Sequence, residues 1–208
     1  MFTGIVQGNF SVVSVEEKPG LKSFIVQGTD DLIKDLKIGA SISVDGACLT
    51  VAKIDGNKLS FDAMQETLEK TTIGTIKEGQ KVNIERSASL GDEIGGHLMS
   101  GHIICTAEIV HTETPENNFI ITFKVPKEWM KYIFEKGFIG LHGVSLTLVD
   151  IDKQAGTFKV YLIPETLELT NFNDLKVGHR VNVELDSRTQ VIVETVEDIL
   201  KQNKMPNK

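Results

Sequence analysis

"DGACLTV" at 45–51 and "HGVSLTL" at 142–148 decide how this chain is organised. Each reads as a tight turn feeding a strand: a polar residue and a glycine make the turn, and alternating small and apolar residues follow. Gly46 falls on Gly143, Cys48 on Ser145 and Thr50 on Thr147, an offset of 97 residues (143 − 46). The same offset lays "MFTGIV" at 1–6 on "LMSGHI" at 98–103, with Gly4 on Gly101. Further on, "QETLEKTT" at 65–72 matches "PETLELTN" at 164–171, and "IKEGQKVNIE" at 76–85 matches "LKVGHRVNVE" at 175–184, now at an offset of 99 (164 − 65). Four blocks in one order with small gaps mean a duplicated domain, 1–88 and 97–187.

Both copies are written in β-forming residues. "FSVVSVEE", "SFIVQG", "SISVDG", "CLTVAKI", "KLSFDAM" and "KVNIERS" are short, rich in Val, Ile, Thr and Phe, and separated by Gly, Asn and Asp turns. The second copy answers with "TAEIVHT", "FIITFKV", "FIGLHG", "SLTLVDI", "FKVYLI" and "RVNVEL". Six short strands at this spacing predict a small closed antiparallel barrel in each copy, because closure removes exposed sheet edges. A short helix is expected in each, at "DDLIKDL" (30–36) and "KEWMKYIFEK" (127–136), the second carrying Trp129, Tyr132 and Ile133 on one helical face. The expectation is an all-β protein of two tandem six-stranded antiparallel barrels plus a C-terminal helix.

That helix has no counterpart after the first copy. "SRTQVIVETVEDILKQNK" (187–204) sets Val191, Ile192, Val196, Ile199 and Leu200 on a helical stripe, with 188–204 as the helical segment. A helix this short is marginal alone in water, so its apolar face must be covered, either by its own barrel or by copies of itself.

Bulk properties exclude several classes. Lysine and arginine total 22 against 29 acidic residues, a net charge of −7, which argues against nucleic acid as partner. An oligonucleotide-binding barrel would also need aromatic strand faces, and aromatic content is 6%. "MFTGIVQGNF" lacks the basic region and long apolar run of a secretory signal, and no membrane-spanning stretch occurs, so a cytoplasmic location is expected. Cys48 and Cys105 form no CxxC pair, and His97 and His102 do not stand at a familiar metal spacing. No metal is expected.

The matched polar residues ask for more than a generic barrel. Thr3-Gly4 and Ser100-Gly101, Thr50 and Thr147, and Glu66 and Glu165 suggest two matched pockets in which small residues let a flat heterocycle approach the backbone. Two such pockets are what a reaction between two copies of one substrate requires. Their differences are then informative: Cys48 stands against Ser145, and Ile5 against His102. A strand cysteine reads either as a nucleophile or acid/base group or as packing, while His102, inside a repeated block, is a general-base candidate.

"MFTGIVQG", the "GACLTV" and "GVSLTL" pair, "DEIGGHLMSGHI" at 92–103 and the "ETLEKT" and "ETLELT" pair together resemble the riboflavin synthase family over about 200 residues. The resemblance implies a transferase and homotrimer in which each chain carries two similar barrels and a helix that holds the trimer. The implied reaction is dismutation of two molecules of 6,7-dimethyl-8-ribityllumazine, one giving a four-carbon unit to the other, to yield riboflavin and 5-amino-6-ribitylaminouracil. Two substrate molecules share each site, between the N-terminal barrel of one chain and the C-terminal barrel of its neighbour, and no cofactor is implied.

By motif, the resemblance assigns Gly4, Ile5 and Val6 to a first bed with Ala47, Cys48, Leu49 and Thr50. It adds Phe61, Asp62, Ala63, Met64, Gln65 and Glu66, read as one strand along the ring edge and ribityl chain. The second bed takes Gly101, His102, Ile103, Lys136, Ser145, Leu146 and Thr147, with Val160, Tyr161, Leu162, Ile163, Pro164 and Glu165. Ser41 and Cys48 are assigned to activating or receiving the nucleophile, and His102 and Thr147, beside Ser145, to proton transfer in the second bed. Phe2 supports the first bed by packing, and Asp186 is a further family-like carboxylate. One departure is His142, where the family commonly has an Asp; a proton-transfer role for that Asp would fall to His142 here. The rival reading is a lumazine- or flavin-binding protein that holds its ligand without turnover.

Overall fold

The structure, a computed structural model, describes residues 1–116 and 118–203. In the first half, β1 (Gly8–Lys18), β2 (Leu21–Gln27), β3 (Ser41–Val44), β4 (Ala47–Asp55), β5 (Lys58–Met64) and β6 (Lys81–Arg86) close into a barrel in the order β1-β2-β5-β4-β3-β6. Strand alternation builds its core: Leu59, Phe61 and Ala63 of β5 point inward, while Lys58, Asp62 and Met64 point out. Phe24 and Phe61, with ring centroids 5.5 Å apart, fill the centre.

The second half repeats the plan with β7 (Cys105–Glu113), β8 (Phe119–Lys124), β9 (Phe138–Leu141), β10 (Val144–Thr147), β11 (Val149–Asp152), β12 (Thr157–Leu162) and β13 (Arg180–Leu185). The order is β10-β9-β13-β7-β8-β12-β11, so seven strands form a nearly closed barrel. "SLTLVDI" is the strand that divides. Leu148 turns its N–H to Gly137 O and its carbonyl to Lys136 N–H, both at 2.9 Å, and the two pieces end at opposite edges of the sheet. Val51 makes the matching bonds to Ala40 and Gly39 within an unbroken β4, which absorbs the irregularity as a bulge before Lys53.

The short helices are not where periodicity put them. "DDLIKDL" forms only the single turn α1 (Asp30–Ile33), capped by Thr29 Oγ1 accepting from Leu32 N–H at 3.4 Å. "KEWMKYIFEK" forms a 3-10 helix, Lys127–Tyr132, and then runs extended. Met130, Tyr132 and Ile133 are all buried against the second core, and three buried positions within four residues do not fit one α-helical face. Conversely, the stretch read as strand to Glu66 ends at Met64, and Gln65–Lys70 form α2. Pro164–Leu169 form the matching α3, with Pro164 at its first turn, where the missing N–H costs nothing.

The two copies exchange their opening segments. Phe2 and Met99 pair as an antiparallel bridge (2.8 and 2.9 Å), and each chain segment then crosses to the opposite barrel. Gly4 O accepts from Ser145 N–H at 2.8 Å, and Gly101 O from Cys48 N–H at 2.9 Å. Val6 is buried in the second core, while Ile103 packs on the first. The two turns meet back to back, so a Cβ on Gly46 would lie 2.7 Å from Gly143 N. A buried polar network surrounds that contact. Asn83 donates to His142 O (3.0 Å) and Asn182 to Asp45 O (2.8 Å), and Asn171 Nδ2 donates to the Asp45 carboxylate at 3.0 Å.

The final helix, α4 (Ser187–Asn203), begins at Asp186, whose carboxylate accepts from Thr189 N–H (3.1 Å) and Oγ1 (2.8 Å). Lys204, the last residue of the expected tail, lies outside the described residues. Val193 packs on the second core, Glu194 accepts from Tyr132 Oη at 2.9 Å and Glu197 from Lys131 Nζ at 2.6 Å. The stripe Val191, Ile192, Val196, Ile199 and Leu200 faces away from its own barrel, each residue 49–66% exposed. Among the described residues no helix is long and apolar enough to cross a membrane.

Candidate functional site

Each crossing segment is clamped by a glutamate of its own barrel before it reaches the other. Glu85 of β6 accepts from Thr3 N–H (2.6 Å), Thr3 Oγ1 (2.7 Å) and Gly4 N–H (3.1 Å). Glu184 of β13 accepts from Ser100 N–H (2.5 Å), Ser100 Oγ (2.8 Å) and Gly101 N–H (2.9 Å). Burial raises both carboxyl pKa values, and the donated hydrogen bonds pull against that rise. Gly4 and Gly101 sit at φ +75° and +81°, a region that strains other residues, and a Cβ on either would lie 2.5 Å from the Cβ of Ser145 or Cys48.

Two cradles result. The first, about 310 Å³, is lined by Ala47 and Cys48 of β4, Glu66, Thr67, Lys70 and Thr71 of α2 and its end, and Gly101, His102 and Ile103 of the crossing segment. The second, about 190 Å³, is lined by Val144 and Ser145 of β10, Gly4, Ile5 and Val6, and Ile163, Glu165, Thr166, Leu169 and Thr170. Position for position they correspond, including the threonines that end each helix: Thr71 Oγ1 donates to Thr67 O (2.6 Å) and Thr170 Oγ1 to Thr166 O (2.5 Å). At the first rim Lys70 pairs with Glu66 at 2.7 Å and holds that carboxyl below its ordinary pKa.

A family model described as the lumazine binding domain matches residues 3–87 and 100–186. The chain is 51% identical over 201 residues to the riboflavin synthase of Escherichia coli (strain K12), covering 96% of this chain and 93% of that one. The chain belongs to the riboflavin synthase family. Within the family, the riboflavin synthase of Buchnera aphidicola subsp. Schizaphis graminum is 44% identical over 98% of this chain and 97% of its own. Among solved structures, LumP complexed with riboflavin superposes with a TM-score of 0.84 at 26% identity, covering 90% of this chain and all of that one. LumP complexed with 6,7-dimethyl-8-(1'-D-ribityl) lumazine gives 0.81 at the same identity.

The riboflavin synthase motifs are thus brought together, but in exchanged pairs. Gly4, Ile5 and Val6 lie with Ser145, not with Ala47 and Cys48; Gly101, His102 and Ile103 lie with Cys48, not with Ser145. Sequence order groups each segment with its own repeat, whereas the Phe2–Met99 bridge carries each one across. His102 therefore faces the first cradle. Thr147 stands apart with Lys136 and Tyr161 around a cavity of about 470 Å³.

Alternation divides the remaining candidates. Leu49, Phe61, Ala63, Leu146, Val160 and Leu162 turn their side chains into the barrel cores. Asp62, Met64, Gln65, Tyr161, Ile163 and Pro164 are exposed. Ser41 pairs with Thr50 and Ser43 with Cys48, so these four side chains share the outer face of β3 and β4. Phe2 is buried and pairs with Met99. Cys105 is excluded as a nucleophile, since burial pushes its thiol up to about 12. His142 is 3% exposed and its Nδ1 accepts from Asn182 N–H at 3.2 Å, so it belongs to the contact between barrels and faces neither cradle.

Sequence reasoning left out Glu85, Glu184, Lys70 and the helix-ending threonines. All were legible, since each glutamate closes the repeated "VNIE" and "VNVE" blocks and the threonines recur in "ETLEKT" and "ETLELT". His97 was weighed only with His102 as a metal ligand, because its contact with Ser145, 48 residues further on, is made by the fold.

Proposed function

We propose that the protein converts two molecules of 6,7-dimethyl-8-ribityllumazine into riboflavin and 5-amino-6-ribitylaminouracil by transfer of a four-carbon unit. The observation that carries this reading is the pair of cradles with one frame and different side chains, in a chain half identical to a named riboflavin synthase. Two copies of one molecule fit two copies of one frame, while the differences let one copy act as donor and the other as acceptor. The reaction balances without a redox partner, because the second substrate molecule receives what the first gives up. Holding two rings in register can contribute on the order of 7–11 kcal/mol toward a barrier.

In this reading the first cradle activates the incoming nucleophile through Cys48 and His102, with Ser41 and Thr50 on the adjoining strand face. The second holds its molecule on Ser145, Gly4 and Glu165, and the Lys136–Thr147–Tyr161 cavity extends the surface that a neighbouring chain completes. A homotrimer brings the first cradle of one chain against the second of the next. The uncovered stripe on α4, five apolar residues long, supports that assembly, since an apolar face of this size calls for a protein partner. The place of work is the cytoplasm.

The test is to mix purified protein with 6,7-dimethyl-8-ribityllumazine, with no added cofactor, and to follow products by absorbance and chromatography. Riboflavin and the pyrimidinedione in equal amounts are expected. Tight binding with unchanged ligand would instead make the chain a carrier on this scaffold.

A further inference from the structure

One buried side chain at the second cradle has no counterpart at the first. His97 is 8% exposed, and among the described residues no side chain is hydrogen-bonded to Cys48 as His97 is to Ser145. Its Nδ1 lies 2.7 Å from Ser145 Oγ, and its ring stacks on Phe138 with centroids 5.2 Å apart and planes 14° apart. Its Nε2 is buried and meets no protein partner among the described residues. The preceding Gly96 passes directly over the serine: a Cβ there would lie 2.6 Å from Ser145 Cβ and 2.9 Å from its Oγ. The chain is therefore built to deliver His97 behind the one hydroxyl that replaces Cys48.

Burial holds the His97 pKa below the usual histidine range, with Asp186 opposing and Arg188 reinforcing, so the ring is neutral at pH 7 and carries one N–H. A proton on Nε2 would be a buried donor without an acceptor, and the Ser145 hydroxyl proton would be used on Nδ1. With the proton on Nδ1 that penalty is removed, because orphaned buried N–H groups are the rarer and costlier case. The N–H then donates to Ser145 Oγ, and the serine O–H is left to point into the cradle.

We infer that His97 is a positioning residue that fixes Ser145 as a hydrogen-bond donor to a carbonyl oxygen or unprotonated ring nitrogen of the heterocycle held in the second cradle. Cys48, with no imidazole behind it, offers the first cradle no such fixed donor, so the two beds grip the same molecule differently. The role toward a ligand rests on the function proposed above; the position of the proton does not.

Two measurements on the full chain separate these. The first is the nitrogen-15 and proton spectrum of the imidazole rings, with His97 assigned by its loss in His97→Phe. The Nδ1–H form is expected in the unmodified protein, giving way to Nε2–H in Ser145→Ala; Nε2–H in the unmodified protein overturns the inference. The second is titration with riboflavin. His97→Phe keeps the stack on Phe138 and removes the donor, and should weaken one of two riboflavin sites about tenfold, as Ser145→Ala does, with no further loss in the double variant. His97→Asn, whose amide N–H reaches the place of Nδ1–H, should recover most of that affinity. Unaltered binding in His97→Phe, or additive losses in the double variant, overturns the inference. If the unmodified protein neither binds riboflavin nor converts the lumazine, the functional reading fails while the ring spectrum still decides the proton's place.

Discussion

The two cradles share one backbone frame and differ in chemical character at three lining positions. Where the first has Cys48, His102 and Lys70, the second has Ser145, Ile5 and Leu169. Duplication has kept what the frame needs, namely glycines at left-handed φ, a glutamate clamp and a threonine at the helix end, because a change there strains backbone or strands a buried polar group. The differences in chemistry fall on side chains that border the cavities. Chemistry can therefore differ between the cradles at little cost to the fold, and His97 behind Ser145 adds to that difference.

The largest effect should come from breaking one frame at a time. Gly101→Ala and Gly4→Ala each put a methyl group 2.5 Å from a neighbouring Cβ at a strained φ. Both should lower turnover by more than ~100-fold. Riboflavin stoichiometry, read by fluorescence titration, should fall by one site per chain in each, the first cradle in Gly101→Ala and the second in Gly4→Ala. Loss of both sites in either variant would show that the cradles are not independent.

Next in size is removal of α4. Truncation after Asp186 should give monomers by sedimentation that still bind riboflavin but turn over roughly 100-fold more slowly, because the paired rings lose their opposing bed. Full turnover in a demonstrated monomer breaks the reading that the site spans two chains.

A smaller effect sharpens the comparison of the clamps. Glu85→Gln and Glu184→Gln each remove charge from three hydrogen bonds and should cost about 1–3 kcal/mol in urea unfolding, to similar extents. Unequal costs would mean that one crossing segment is held chiefly by other contacts.

The smallest is a pH effect at the contact between barrels. Burial lowers the His142 pKa, with Asp45 opposing. The unfolded chain takes up a proton near pH 6.5 that the folded chain refuses, so this contribution is full above about 6.5 and is lost as pH falls below it. Asp45, raised by burial, runs in the opposite sense, since the folded chain takes up its proton first as pH falls. His142→Asn should therefore reduce the drop in thermal midpoint between pH 7 and 5.5 relative to the unmodified protein. An unchanged drop would place the acid sensitivity elsewhere.

Much of this was legible in residues 1–187. Short strands rich in Val, Ile and Thr, set apart by Gly, Asn and Asp turns, marked the barrels, and the repeated turns located the cradles. "KEWMKYIFEK" misled because its apolar residues fit a helical face on paper, while the barrel draws Met130, Tyr132 and Ile133 inward from a tighter turn. His142 looked like a substituted acid in a bed because it precedes a bed strand, yet the turn that holds it is buried against its twin.

By itself the sequence determined the duplication, the all-β barrels and a final helix whose apolar stripe needs a cover. Periodicity and repeated blocks are local properties, and they need no knowledge of which surfaces meet. Only the tertiary structure decided that Gly4 lies on the Ser145 strand and Gly101 on the Cys48 strand. Because the repeats are alike, each segment carries the local features to suit either strand, and the choice falls to the Phe2–Met99 bridge and the back-to-back glycine turns. Those contacts join residues about half a chain apart, where no spacing rule reaches.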